Sequence, residues 1–151
     1  MKLRLLVVGR LRQTGFQSAA AEYLRRIEAY FPFELVEIRD GKLKDKEANL
    51  AKEAQDVLDQ VRPSDQLILL DNRGNQWDSP GLAKWLEVHE SESLVFAIGS
   101  SYGFAQAVRT RANHFWSLSQ LTFPHELARV IVLEQLYRAA TIRSGHPYHH
   151  G

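Results

Sequence analysis

Leu94-Val95-Phe96-Ala97-Ile98-Gly99-Ser100-Ser101-Tyr102-Gly103 runs five apolar residues without a polar break into a turn bracketed by glycines. An unbroken apolar run that short reads as a strand buried on both faces, the kind found in parallel sheets covered by helices on each side. The same pattern repeats outward from it. Residues 66–70 form a second buried run, preceded by the breaker Pro63-Ser64 and followed by Asp71-Asn72-Arg73-Gly74, which reads as a turn. Toward the amino end, residues 3–8 read as a first strand, 17–30 as a helix, and 33–38 as a half-buried strand alternating apolar and polar positions. Residues 46–61 set Leu50, Ala54, Val57, Leu58 and Val61 on one helical stripe. Toward the carboxyl end, Asp78-Ser79-Pro80 opens a helix continuing over 82–88, and residues 104–112 form another. Residues 115–118 make a fifth strand, and the last helix spans about 125–143. This alternation predicts one α/β domain over residues 1–151, with a mostly parallel sheet flanked by helices.

In such sheets ligands sit outside the carboxyl ends of the strands. Three strand exits follow as candidate sites: Leu70 to Gly74, Ile98 to Gly103, and Ser117 to Pro124. The last helix adds a further expectation. Between Glu126 and Ala140 only Glu126, Arg129, Glu134, Gln135 and Arg138 are polar, so the helix is apolar on most of its circumference. Such a helix is buried on more than one side, and a second copy related by a two-fold axis is the simplest extra partner.

Composition narrows the function classes. The absence of cysteine excludes disulfides and thiolate metal sites and fits a reducing cytoplasm. The apolar start is too short for a signal peptide or membrane span. The net charge is +1, yet residues 1–30 carry six Lys/Arg against two Glu and residues 109–151 five Arg against two Glu, while the middle is acidic. The two basic ends predict an electropositive surface where the termini meet, within a field too weak to hold naked RNA strongly. Neither the Walker spacing nor G-x-G-x-x-G is present, no serine sits in a nucleophile elbow, and the tail histidines His146, His149 and His150 lack a neighbouring carboxylate for zinc. No metal site is expected.

The segment Leu118-Ser119-Gln120-Leu121-Thr122-Phe123-Pro124-His125 is more unusual: a strand exits into a mixed polar and apolar loop that ends in Pro-His at a helix start. Together with Ala128-Arg129-Val130, Glu134-Gln135-Leu136-Tyr137-Arg138-Ala139 and Pro147-Tyr148-His149, it closely resembles the RlmH family, the SPOUT-superfamily methyltransferases of large-subunit ribosomal pseudouridine. The resemblance extends from Lys2-Leu3 through Glu22-Tyr23 and Leu70-Asp71 to the tail. It implies a SPOUT domain with a carboxyl-terminal trefoil knot, acting as a homodimer that transfers methyl from S-adenosylmethionine to N3 of a pseudouridine in large-subunit rRNA within the ribosome. Pattern reasoning alone stops at an open doubly wound sheet, because true knots are nearly absent among folds.

The family's three cofactor loops fall on Leu70, on Gly99, and on Leu118, Ser119, Gln120, Leu121, Thr122 and Phe123. For the chemistry, Arg129 and Arg138 are candidates to stabilise the developing uracil anion. His125 or His149 is the candidate proton acceptor, with bulk water as the alternative. Tyr148 and His149 belong to a tail that, in a dimer, closes over the pocket of the other subunit. The bland alternatives are a Glu134–Arg138 helix pair and a disordered tail. The sequence departs from the family where Ser100 replaces a second glycine and where His150-Gly151 replaces a terminal cation. Rival functions are ribose 2′-O-methylation of tRNA and a non-catalytic flavodoxin-like nucleotide-binding module.

Overall fold

The computed structural model describes residues 1–151. In chain order the elements are β1 (Lys2–Val8), α1 (Thr14–Glu28), β2 (Phe33–Ile38), α2 (Lys46–Asp59), β3 (Gln66–Asn75), α3 (Ser79–Val88), β4 (Ser93–Ile98), α4 (Gln106–Arg111), β5 (His114–Trp116) and α5 (His125–Ser144). All strand pairs are parallel, in the order β2-β1-β4-β3-β5. The flavodoxin-type order places the third strand beside the first; here β4 takes that place.

Strand alternation divides the core in two. Leu3, Leu5 and Val7 of β1, with Leu94, Phe96 and Ile98 of β4, face α1, α3 and α5. Leu6, Val8, Val95 and Ala97 face α2 and α4 on the other side. Helix starts follow their capping chemistry: the Asp45 side chain accepts from the Glu47 and Ala48 N–H groups, and Asp78 accepts from Gly81 N–H with Pro80 in the first turn.

Two boundaries differ from expectation. The segment expected as a turn, residues 71–74, lies inside β3, as an irregularity between Leu70 and Asn75, both of which register with Trp116. β5 ends at Trp116 rather than at 118: Ser117 N–H still reaches Asn75 O at 2.8 Å, and beyond it the Ser117 hydroxyl donates to Ser119 O at 2.9 Å in a local turn. The expectation from α5 also changes. Val132, Leu133, Leu136, Tyr137, Ala139 and Ala140 are buried within the chain, in the core shared with α1 and α3. Much of the apolar circumference is therefore satisfied without a second copy, leaving Leu127, Val130 and Ile131 half-buried. No helix is long and apolar enough to cross a membrane.

At the amino ends of the strands, Arg4 is 4% exposed and acts as a clasp. Its guanidinium donates to Glu34 (3.0 Å), to Gln60 O (2.6 Å) and to Gln60 Oε1 (3.1 Å), and lies 3.7 Å from buried Asp65. Removing this cation strands a buried carboxylate, which typically costs about 3–5 kcal/mol. Arg4→Ala should lower unfolding stability by roughly that amount, whereas Glu34→Gln, at an exposed partner, should cost less than about 1 kcal/mol. Urea unfolding of both variants checks the contrast, and equal costs would contradict it.

Candidate active site

Because every strand points the same way, the exits of β3, β4 and β5 open on one edge, where they enclose a cavity of about 420 Å³. That is within the usual range for a small-molecule site, about 300–1,000 Å³. Its wall combines Leu70 to Arg73, Ile98 to Phe104, Trp116, and much of the loop from Leu118 to His125. Gly99 is required by close approach: a Cβ there would stand 2.8 Å from Gly103 O. The turn beyond it is closed by Gly103 N–H donating to Ser100 O at 2.9 Å. The Ser100 hydroxyl oxygen, also on this wall, is buried and has no hydrogen-bond partner.

One rim carries a charged bracket. Arg109 of α4 pairs with Asp71 at 2.6 Å, and Arg73 approaches the same carboxylate from the solvent side at 3.4 Å. Burial alone would raise the Asp71 carboxyl. Hydrogen bonds from the Arg73 N–H and the Arg109 and Arg73 side chains outweigh it and hold the group below the usual carboxylate range. Tyr102, 61% exposed at the tip of the Ser100–Gly103 turn, stands 4.8 Å from Lys46 Nζ.

Of the residues singled out in the sequence, Leu70, Gly99, Leu118, Ser119, Leu121, Thr122, Phe123 and His125 meet at this cavity. Gln120 does not line it; its side chain is exposed. Arg129 is placed elsewhere. It is 2% exposed, with its guanidinium committed to Glu37 at 2.5 Å and to Gly9 O at 2.8 Å, so within the chain it ties α5 to the exits of β1 and β2.

Arg138, Tyr148 and His149 form a second cluster. The helix pair of Arg138 and Glu134 forms, at 2.6 Å, and Tyr148 donates to the same Glu134 oxygen at 3.0 Å. Tyr148 packs edge-on against Tyr137 with ring centroids 4.6 Å apart, and burial first, then hydrogen bonding with Tyr23 and Glu134, pushes its hydroxyl well above the usual tyrosine range. The tail is therefore docked, not frayed. Gly145, at φ 78°, reverses the chain, and His146 N–H returns to Thr141 O at 2.9 Å. His149 Nδ1 lies 3.1 Å from Arg138 NH1. Arginine only donates, so Nδ1 accepts and the neutral ring carries its proton on Nε2. As arranged, His149 offers a donor, which argues against the proton-acceptor role. His125 and Arg138 stand thirteen positions apart on α5, about 20 Å along its axis at 1.5 Å per residue, so the cavity and the tail cluster lie at separate parts of the helix.

Sequence reasoning missed Arg109 and Trp116 as wall residues, and it gave no role to Asp71 and Tyr102, which lie within its candidate strand exits. Asp71 adjoins Leu70 and was legible as part of a strand exit. The Asp71–Arg109 pair joins residues 38 apart in the chain, and no local pattern announces it.

A family model described as "Predicted SPOUT methyltransferase" matches residues 1–149. The chain is 57% identical to a protein named ribosomal RNA large subunit methyltransferase H from Gloeobacter violaceus, over the full length of both. It is 44% identical to the protein of the same name from Pelobacter propionicus, covering 99% of this chain and 100% of that one. The chain belongs to the RlmH family of SPOUT methyltransferases. A solved structure described as a probable methylase family protein from Haemophilus influenzae Rd KW20 aligns with a TM-score of 0.58 at 11% identity, covering 99% of this chain and 70% of that one, a likeness of fold.

Membership of the RlmH family makes the protein a methyltransferase, and the reading as a non-catalytic flavodoxin-like module is set aside. The family position occupied by Ser100 is the one whose hydroxyl lies buried without a partner on the cavity wall.

The Asp71 bracket sets a pH dependence. A carboxyl held below its unfolded value adds stability above about pH 4 and loses it as pH falls through the folded midpoint. Asp71→Asn should therefore cost stability near neutral pH and progressively less in acid. Denaturant unfolding across that range tests this, and a pH-independent difference would contradict it.

Proposed function

We propose that this RlmH-family chain is an S-adenosylmethionine-dependent methyltransferase of large-subunit ribosomal RNA, acting in the cytoplasm as a homodimer on N3 of a pseudouridine. The observation that carries the reading is the convergence of three strand exits on one cavity, in a chain whose relatives are named ribosomal RNA large subunit methyltransferases.

The lining suits that cofactor. Trp116, Phe104, Leu118 and Phe123 offer an apolar wall for an adenine ring, and the unpartnered Ser100 hydroxyl offers a polar contact that the protein leaves unmade. The backbone at Leu70, Gly99 and Leu118 to Phe123 would hold the adenosyl and methionine parts, with Gln120 of that loop left toward solvent. The bound cofactor supplies an electrophilic methyl group, so the protein supplies position and proton management.

The pyrimidine N3 carries a proton and must lose it to act as a nucleophile. His125, on the cavity wall at the start of α5, is positioned to accept it. The negative charge that develops on the base needs donors. Arg138 and the Nε2–H of His149 supply them, oriented by Glu134 and packed by Tyr148. Since about 20 Å separates His125 from Arg138 along α5, these donors serve the cavity of the second copy. The active site is then composite, with a pocket from one protomer and a tail from its partner. Arg129 holds the scaffold beneath it.

Truncation after Gly145 should leave cofactor affinity within about tenfold, or 1.4 kcal/mol. It should lower single-turnover methyl transfer to ribosomes by about 10²–10⁴, the usual worth of a positioned donor or acid–base group. Arg138→Ala should behave alike, with circular dichroism reporting on α5. Near-parental transfer in both variants would contradict the composite site.

Ser100→Gly should weaken S-adenosylhomocysteine binding by roughly 3–10-fold in calorimetry, the worth of one hydrogen bond. Tighter binding would mean that the side chain crowds the pocket instead.

A further inference from the structure

The exits of β1 and β2 leave the same edge of the sheet as the cavity, at its other end. Between them lies a groove of about 300 Å³ lined by Gly9, Arg10, Arg12, Arg39 and Lys42, with Glu37 and Asp40 as its carboxylates. It adjoins the cavity: a Cβ on Gly9 would lie 3.4 Å from His125 Nε2. We propose that this groove binds the sugar-phosphate backbone of the RNA whose target base enters the cavity, a proposal that rests on the reading of the protein as an RNA methyltransferase.

The distribution of charge carries it. Of the nineteen Lys and Arg residues, ten take part in ion pairs. Six of the remaining nine, Arg10, Arg12, Arg39, Lys42, Lys44 and Lys46, follow β1 and β2. The carboxyl-terminal arginines do not join them, contrary to the expectation that the two basic ends combine: Arg109, Arg129, Arg138 and Arg143 each hold a carboxylate, and Arg111 bonds the carbonyls of Arg62 and Asp65. Arg129 pairs with Glu37 at the groove's edge, leaving Asp40 as the one unpaired carboxylate among four exposed cations.

Both loops are held from below. The Arg12 and Gln13 N–H groups donate to Glu126 of α5 at 2.6 and 3.2 Å. Buried Glu53 accepts from Gly41 N–H at 3.0 Å, and the Asn49 amide bonds Leu43 N–H and C=O at 2.7 and 2.6 Å. Like charges gathered on fixed loops repel one another, and a polyanion relieves that repulsion while releasing its own counterions. Phosphates of a single strand satisfy the groove without contacting a base, which suits a surface that positions RNA beside a pocket that selects the base. The near-neutral net charge conceals this local field.

The test compares two double variants of equal net charge, each in the full-length protein with large ribosomal subunits as the probe. Arg10→Gln/Lys42→Gln removes two groove cations; Lys2→Gln/Arg62→Gln removes two unpaired cations at the opposite ends of the strands. The groove pair should raise the KM for subunits about tenfold and lower the slope of log affinity against log salt by about 1–2. Cofactor affinity should match the parent. The other pair should stay within about twofold. Equal effects from the two pairs, no effect from the groove pair, or a change in oligomeric state in place of RNA affinity would each overturn the groove assignment. A parent chain that binds cofactor yet neither binds nor methylates subunits would instead overturn the functional reading, and the groove with it.

Discussion

All five strands run in one direction, and the rest of the molecule follows from that constraint. Parallel pairing sends each chain back through a helix, so both faces of the sheet are covered and the polar loops gather at its two edges. The amino edge is closed by the Arg4 clasp. The carboxyl edge carries the cavity and the groove. The exits of β3, β4 and β5 enclose a cavity, the exits of β1 and β2 line a basic groove, and the two adjoin where Gly9 stands beside His125. The proposed sites for a small donor and for a polyanion thus share one edge of one sheet.

The last helix converts that edge into a division of labour. Its first turn supplies His125 to the cavity and Glu126 to the loop after β1; its second turn supplies Arg129 beneath the groove; its later turns hold Arg138 and the returning tail. A rigid rod keeps the two ends about 20 Å apart. In the proposed reading, chemistry that needs both draws on two chains, even though α5 finds much of its apolar burial at home.

Much of this was legible beforehand, because it depends on local pattern. The unbroken apolar runs at Leu94–Ile98 and Leu67–Leu70 identified buried strands, and the three strand exits located the cavity. What escaped depends on contacts distant in sequence. Arg129 reads as a candidate to stabilise the anion on the base, yet it is buried against Glu37, 92 residues away. The detour of residues 71–74 looks like a turn by composition but keeps strand pairing because Asn75 rejoins Trp116. His149 resembles a free tail base until Arg138 occupies its Nδ1. The basic groove was invisible to a sum over the termini, because its members come half from the amino-terminal stretch and half from the acidic middle.

The central claim is that one protomer's cavity works with its partner's tail, and complementation tests it most directly. One inactive variant carries Gly99→Ala, whose Cβ would meet Gly103 O and displace the cavity turn; the other ends after Gly145. Unfolded, mixed in equal amounts and refolded together, random pairing gives mixed dimers with one whole site each, and methyl transfer to ribosomes should recover to about a quarter of the parental rate. A mixture as inactive as its components would contradict the composite site.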